Sequence, residues 1–574
     1  MQPDQLAFIF LTDGEDQRES ITYSELWSRS NQIALALRPY TQSMAEPRVL
    51  MLFEPGLEYI IALFGIFLAK AVAVPSFPPI GSRGLTRLST IIKDAEPNVI
   101  LVSNRLNRYR DQVLTKLSIN LADHPAGQSG TGPHWIVPAF ETVGSGPKHE
   151  YTPIAPDQHA LALLQYTSGS TSDPKGVMLT HANVLANCVS ASQWMGSDPQ
   201  RIGCSWLPPY HDMGLMGGIF QPIYDGFTTI LMSPAHFIQR PRRWLQAITD
   251  YRATVSIAPD FAFELCVETV PDTEIATLDL SCLQALYCGA EPIRQLTLSR
   301  FSQHFAESGF SYSASAPCYG LAECTVFAAG KPLQAQPCVI NFDKKALASN
   351  RLVAAINGES AQLVSSGQVA PGNRLIIVHP LKSVAVKDGT IGEIWVQGNN
   401  VGKGYWRKNN NEQNFRAQLP GIDGSYMRTG DLGAILAGEL YVTGRLKDLI
   451  IIAGRNHYPQ DIELSALLSD NRIENRAVVA FSIKDQNDKE QLIVVAEIKR
   501  SCRLTEQEAQ DIRDAIQSAI IQTAGIQCAD IYLVAKGSIP VTTSGKLQRR
   551  ATQASYLDGT LRSISLVQAQ SSEI

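Results

Sequence analysis

The densest grouping of hydroxyls, glycines and a lysine is YTSGSTSDPKG, residues 166–176. Thr167, Ser168, Ser170 and Thr171 surround Gly169, and Lys175 with Gly176 closes the run. Small residues let backbone N–H groups approach an oxyanion, hydroxyls add donors, and a lysine adds a mobile point charge. The run follows the apolar LALLQ, so it sits where a strand gives way to a loop. A phosphate loop and an ordinary polar Ser/Thr loop fit this composition equally. It is not a GxxxxGK[ST] loop, because that glycine spacing and the trailing Ser/Thr are missing.

Four further groups carry possible chemistry. CYGLAECT at 318–325 follows GAEPIR at 289–294. Tyr319 beside Gly320 offers a stacking face for a purine, and Glu323 a hard oxygen for Mg²⁺ against phosphates. Taken alone, Tyr319 is as good a turn aromatic and Glu323 as good a surface carboxylate. YMRTGDLG at 426–433 precedes GRLKD at 444–448. An aspartate that accepts two hydroxyls grips a ribose, which suits Asp431 with help from Arg445; a capping Asp in a type I turn suits it too. SWLPPYHDMGLMG at 205–217 sets His211 beside Asp212, with no second histidine nearby at ligand spacing. PVTTSGK at 540–546 puts Lys546 on a glycine turn, where a lone lysine is ordinarily exposed.

The elements that must position these groups alternate between strand-like and helix-like patterns. HALALLQYT precedes HANVLANCVSAS, TTILMS precedes RPRRWLQAITDY, and ATVSIAP precedes FAFELCVETV. Such alternation predicts βαβ units and parallel sheets. From about Gly392 the chain turns strand-rich, with GEIWVQG, VGKGYW, LGAILAG and ELYVTG, which suits a small barrel or layer. Beyond GRLKD lies an α+β segment: RAVVAFSI, QLIVVAEIK, a long amphipathic helix and CADIYLVAKG. Breaks fall at 123–156, which is loop-like, at 331–358, which lacks a strong pattern, and near 444–448.

Composition bounds the partners. At roughly 150 residues per domain, 574 residues imply more than one core. Lys+Arg is 49 and Asp+Glu is 54, a net −5 with no basic run, so nucleic acid is not an expected partner. The ten cysteines form no CxxC pair, which predicts reduced thiols in a cytoplasmic protein. YIIALFGIFLAKAVAVP at 59–75 is broken by Lys70 and falls short of the ~20 residues of a membrane span; it reads as a buried helix running into a buried strand. No secretory signal opens the chain.

Taken in order, the phosphate loop, GAEP, YGLAE, TGD, GRxKD and PxxxxGK resemble the adenylate-forming superfamily over nearly the whole chain. Within it the sequence is most similar to fatty acyl-AMP ligases. The loop TSGSTSDPKG, the stretch SWLPPYHDMGL (with Tyr210 where His is common), GRLKDLIIIAGRNHYPQDIE, and the long interval between Glu323 and the turn at 365–372 carry that likeness. The resemblance implies an α/β fold. Its large N-terminal domain, 1–447, would hold two βαβ-type sheets plus a small β-barrel layer and a branch-specific insertion within 331–362. A small mobile α+β domain, 448–574, would pivot at Lys447. The implied substrates are ATP and a fatty acid, with Mg²⁺.

Residue roles follow from the same likeness. Thr167, Ser168, Gly169, Ser170, Thr171, Lys175 and Gly176 would hold phosphates. Gly289, Ala290, Glu291, Pro292, Tyr319, Gly320, Leu321 and Ala322 would frame the adenine, and Asp431 and Arg445 the ribose. Glu323 and Ser170 would bind Mg²⁺. His211, Asp212, Met213 and Gly214 would line the acyl side, with His211 positioning rather than transferring a proton. Lys546 would reach across the domain boundary to the carboxylate and α-phosphate. The acceptor would be the phosphopantetheine thiol of an acyl carrier protein supplied in trans, and the enzyme a monomer or weak homodimer. The rivals are an acyl-CoA synthetase and a silent acyl-AMP-binding protein. The N-terminus is expected to be slightly short.

Overall fold

The computed structural model describes residues 2–78, 81–117, 132–140, 157–167, 174–196, 198, 200–333, 335–452, 455–485, 489–542 and 546–566. Most of the expected loop at 123–156 lies outside them. Two sheets dominate the N-terminal part. The first runs His134–Ile136, Val99–Val102, Arg48–Leu52, Val72–Ser76, Leu161–Tyr166, Gly176–Thr180. It is parallel except for its last pair. The second has nine strands, and its centre, from Leu6–Leu11 to Ser315–Tyr319, is parallel throughout. The runs TTILMS and ATVSIAP therefore enter the parallel sheet that their alternation predicts, whereas HALALLQYT leads into an antiparallel hairpin with Gly176–Thr180 before its helix.

Burial explains the most apolar stretch. Leu57–Leu68 is a helix and Val72–Ser76 a strand, both buried. The helix packs on Tyr23–Thr41, and a Cβ at Gly65 would lie 2.5 Å from Ile33 Cβ, so only glycine allows that approach. Among the described residues, no helix is long and apolar enough to cross a membrane.

The strand-rich region is an antiparallel sheet of Asn373–Val378, Gly392–Gly398, Ile422–Leu436 and Ala417–Leu419, with Glu439–Arg445 also paired to the long strand. Its pairings among the described residues form an open layer rather than a closed ring. VGKGYW departs from the strand expectation. It is a loop that meets the Gly176–Thr180 edge of the first sheet through a Val177–Tyr405 bridge and a Lys403 amide to the Met178 carbonyl (2.9 Å), and its glycines give it nothing to bury on alternate sides. The C-terminal part is a three-stranded sheet, Ile473–Lys484, Glu490–Ile498 and Cys528–Ala535. Helices Pro459–Ser469, Glu506–Ala524 and Arg549–Leu557 accompany it. The helix Glu506–Ala524 opens with a capping box, in which Thr505 and Glu508 satisfy each other's amides.

The segment at 331–362 differs most from its sequence reading. It contains a strand Val339–Asp343, a helix Lys344–Ala348 capped by the Asp343 side chain, and a strand Ser360–Val364 paired antiparallel to the first. Phe342, Leu347 and Leu352 pack against Ile391, Leu432 and Tyr441. Five-residue elements with one buried face leave little periodicity to read. Lys331 anchors the entry: its Nζ donates to the carbonyls of Ser313 (2.9 Å), Pro332 (3.1 Å), Leu333 (3.2 Å) and Ala335 (2.7 Å). Lys331→Met keeps the length and removes the donors. Hydrogen exchange across 313–335 should accelerate ~30-fold, the equivalent of about 2 kcal/mol for lost charged hydrogen bonds. Unchanged exchange would contradict this role.

Candidate active site

The phosphate-loop motif joins Leu161–Tyr166 to Gly176–Thr180 as an antiparallel hairpin, closed by Thr167 N–H to the Lys175 carbonyl (3.1 Å). Ser168, Gly169, Ser170 and Thr171 lie outside the described residues. Gly176 lies beneath the Tyr166 ring, and the Tyr166 hydroxyl donates to Asp94 (2.8 Å). Lys175 Nζ rests 4.8 Å from the centre of the Tyr405 ring. Burial pulls its ammonium pKa below the ordinary lysine value, and Lys447 adds to that.

The Tyr405 hydroxyl continues the chain of contacts by donating to Glu323 Oε1 at 2.7 Å. Glu323 sits in the short turn Ala322–Cys324 just past the strand Ser315–Tyr319. Burial raises its carboxyl pKa, partly offset by the Tyr405 hydrogen bond. Gly320 makes this turn possible, because a Cβ there would lie 1.4 Å from the Val326 carbonyl oxygen.

Asp431 and Arg445 face each other across paired strands, with Arg445 Nε 2.9 Å from Asp431 Oδ1. The other carboxylate oxygen accepts from the Tyr319 hydroxyl at 2.8 Å. Asp431 is only 6% exposed, and its charge is the leading cause that raises the Arg445 pKa. The strand Ala285–Gly289 ends at the GAEP turn, where Ala290 takes a left-handed φ of 68°. Glu291 accepts from the Phe261 amide at 2.7 Å, and burial raises its pKa.

His211 and Asp212 open a short helix, Asp212–Leu215. His211 Nδ1 lies 2.6 Å from Asp212 Oδ1, and the Met213 amide donates toward both, at 2.7 Å to Asp212 Oδ1 and 3.4 Å to His211 Nδ1. Burial opposes ionisation of Asp212, yet His211, with help from Lys546 and the Met213 amide, holds its carboxyl below the usual range. Gly214 lies under Pro208, whose carbonyl oxygen would be 2.2 Å from an added Cβ.

Lys546 arrives from the C-terminal part on a turn closed by Thr542 N–H to its carbonyl (2.8 Å) and by its own amide to Thr542 Oγ1 (3.0 Å). It is half-buried rather than exposed. Burial lowers its ammonium pKa, while Asp212 and Glu291 work in the opposite direction.

These groups share one cavity of about 1420 Å³. Its wall includes Thr167, His211, Asp212, Met213, Ala290, Glu291, Pro292, Tyr319, Gly320, Leu321, Ala322, Glu323, Asp431, Arg445 and Lys546. Lys175, Gly176, Gly214, Gly289 and Lys447 are not in its wall; Lys447 lies in the turn Leu446–Asp448. Two residues that sequence reasoning missed complete the arrangement. Tyr405 links Lys175 to Glu323 but lies in the stretch that reads as a strand. Arg476, 3.7 Å from Glu291 and 4.8 Å from the Phe261 ring centre, ties the C-terminal part to the GAEP turn. No motif marks it.

A family model for AMP-binding enzymes matches residues 1–406. The chain belongs to the AMP-binding enzyme family. A second model, Disco-interacting protein 2-like AMP domain, matches 447–566. The chain is 39% identical to a 4-hydroxyphenylalkanoate adenylyltransferase of Mycobacterium tuberculosis, over 97% of this chain and 90% of that one. It is 38% identical to the medium-chain-fatty-acid–[acyl-carrier-protein] ligase JamA of Moorena producens, over 97% and 93%. A fatty acyl-adenylate ligase from L. pneumophila, solved with acyl adenylate and pyrophosphate, superimposes with a TM-score of 0.72 at 34% identity, over 97% and 94%. The fold is therefore the mixed α/β fold of adenylate-forming enzymes, with a large N-terminal and a small C-terminal unit.

Gly320→Ala should push Glu323 and Tyr319 out of register, because the Val326 carbonyl has no room to give. AMP binding by calorimetry should weaken about tenfold or more, in line with the cost of a displaced polar contact. Wild-type affinity in a folded variant would contradict the steric reading.

Proposed function

We propose that this chain activates a fatty acid with ATP to acyl-AMP, releasing pyrophosphate. It then passes the acyl group to the phosphopantetheine thiol of an acyl carrier protein. The observation that carries this reading is Lys546. A lysine from the small unit lines the same cavity as Glu323, Tyr319 and the Asp431–Arg445 pair.

In the first step a carboxylate oxygen attacks the α-phosphorus, the new C(O)–O–P bond forms, and the bond to pyrophosphate breaks. No proton moves, so catalysis is positioning and electrostatics rather than acid–base work. Two anions must meet, and Lys546 supplies the cation between them. The hairpin loop, Thr167, Ser168, Gly169, Ser170, Thr171 and Lys175, holds the outer phosphates. Tyr319 and the turn at Ala290 frame the adenine. Asp431, oriented by Tyr319 and Arg445, accepts the ribose hydroxyls. His211, held against Asp212, orients the carboxylate.

Mg²⁺ fits one carboxylate plus substrate phosphates better than an all-protein cage. Glu323 fits that demand: it is a half-buried carboxylate in the cavity wall that, among the described residues, accepts the Tyr405 hydroxyl on one oxygen. Glu323, with Ser170, would hold the ion, which neutralises phosphate charge when bound.

In the second step the thiol gives its proton to solvent and its sulfur attacks the acyl carbon; the C–S bond forms, and the acyl C–O bond breaks with its electron pair leaving on AMP. A boundary at 447/448 with a pivot at Lys447 lets the small unit change its face between steps. The ordered segment at 331–362 bears on that motion. Its Asn350 side chain accepts from Asn456 of the small unit at 2.9 Å, a contact that resists such a swing. Relatives named as medium-chain-fatty-acid–[acyl-carrier-protein] ligases favour a carrier protein over free coenzyme A.

The test supplies ATP, a fatty acid series and either coenzyme A or a holo carrier protein. Thioester on the carrier with slow acyl-CoA formation is expected. Rapid acyl-CoA formation would make the chain an acyl-CoA synthetase instead.

A further inference from the structure

The inner part of the cavity is apolar along much of its wall, with Ala191, Met195, Val255 and Ile257. Part of that wall is one face of the nine-stranded sheet. Tyr287 pairs with Ile257; two residues back along that strand, Val255 pairs with Gly203, which in turn pairs with Thr229. Paired residues, and residues two apart on one strand, share a face. Tyr287 and Thr229 therefore stand on the same face. They lie about 7 and about 13 Å back along the strands from the Gly289 edge, at ~3.3 Å per residue.

Both residues are more than nine-tenths buried, at 8% and 1% exposed. Both line the cavity, and neither hydroxyl has a hydrogen-bond partner among the described residues. A third wall group, Gln221, shares this state: its amide nitrogen donates to Cys188 (3.2 Å) and Asp225 (2.9 Å), while its carbonyl oxygen has no partner. Gly203 leaves the floor open beside Thr229, because a Cβ there would lie 2.9 Å from Thr229 Oγ1. Near this end the Arg201 guanidinium rests 5.9 Å from the centre of the Phe227 ring, with one nitrogen buried and unpaired.

Three wall residues, each with a polar atom that lacks a partner among the described residues, set beside Ala191, Met195, Val255 and Ile257, are poorly matched to plain hydrocarbon. A buried group left unpaired by the ligand is penalised, and a site built to pair a substrate hydroxyl rejects the analogue that lacks it. We propose that the acyl site selects acids that carry a neutral oxygen, a hydroxyl or a phenol, on the portion remote from the carboxylate. This rests on the reading that the cavity binds an acyl group for adenylation. Tyr287 and Thr229 are the specificity-determining residues.

The test is ATP–pyrophosphate exchange by the full chain on two matched pairs: a hydroxyalkanoic acid against its alkanoic acid, and a hydroxyphenylalkanoic acid against its phenylalkanoic acid. In at least one pair the oxygenated member should have a kcat/KM ~10-fold or more higher; which pair responds tells a chain hydroxyl from a phenol. Tyr287→Phe keeps the ring and should erase most of that preference by lowering the oxygenated member alone, whereas a merely structural role would lower both members together. Plain acids used at least as well in both pairs, or equal losses in the variant, would overturn the proposal and leave adenylation standing. No exchange with any acid would overturn the adenylation reading itself.

Discussion

The molecule turns on one electrostatic constraint: a carboxylate and a triphosphate must be brought together, and a single cation has to come between them. In the proposed reading Lys546 takes that place, within reach of the Asp212 and Glu291 charges of the large unit. At an effective dielectric of ~20, two unit charges ~4 Å apart interact by about 4 kcal/mol, enough to matter greatly to a barrier and to be lost if the side chain withdraws. Arg476 on Glu291 and Asn456 on Asn350 hold the small unit in this arrangement. Tyr458 and Leu449 of the small unit add an apolar contact, packing with Phe342, Leu347 and Tyr441 of the large one.

The rest of the architecture serves that encounter. Parallel strands deliver Gly289 and Tyr319 to one edge of the second sheet, and a hairpin in the first sheet delivers Lys175 nearby. The antiparallel layer contributes the Asp431–Arg445 pair through its register, since these residues stand directly opposite each other. Tyr405 couples the layer's edge loop to Glu323, so the groups assigned to phosphate and metal form one hydrogen-bonded and stacked chain.

Much of this was legible in the sequence. Alternating β-branched and amphipathic runs predicted the parallel sheets, and six short motifs predicted which turns meet at the cavity. What was not legible depends on pairing at a distance. Arg476 lies in a bulged stretch of its strand, with a left-handed φ of 60°, and gains meaning only when the small unit docks. Tyr405 sits in a glycine-rich loop that imitates a strand. The segment at 331–362 read as patternless because its elements are too short to show a period, although Phe342 is fully buried. Tyr287 and Thr229 looked like ordinary strand residues until their register put both hydroxyls on one cavity wall.

The central claim is that Lys546 serves the first half-reaction by supplying the charge between two anions. Single-turnover formation of acyl-AMP by Lys546→Ala, set beside thioester formation from supplied acyl-AMP, tests it most directly. The account predicts a first step slowed on the order of 10²–10³-fold, as for loss of a preorganised charge at a transition state, with the second step much less affected. Adenylate formation at the wild-type rate would contradict it.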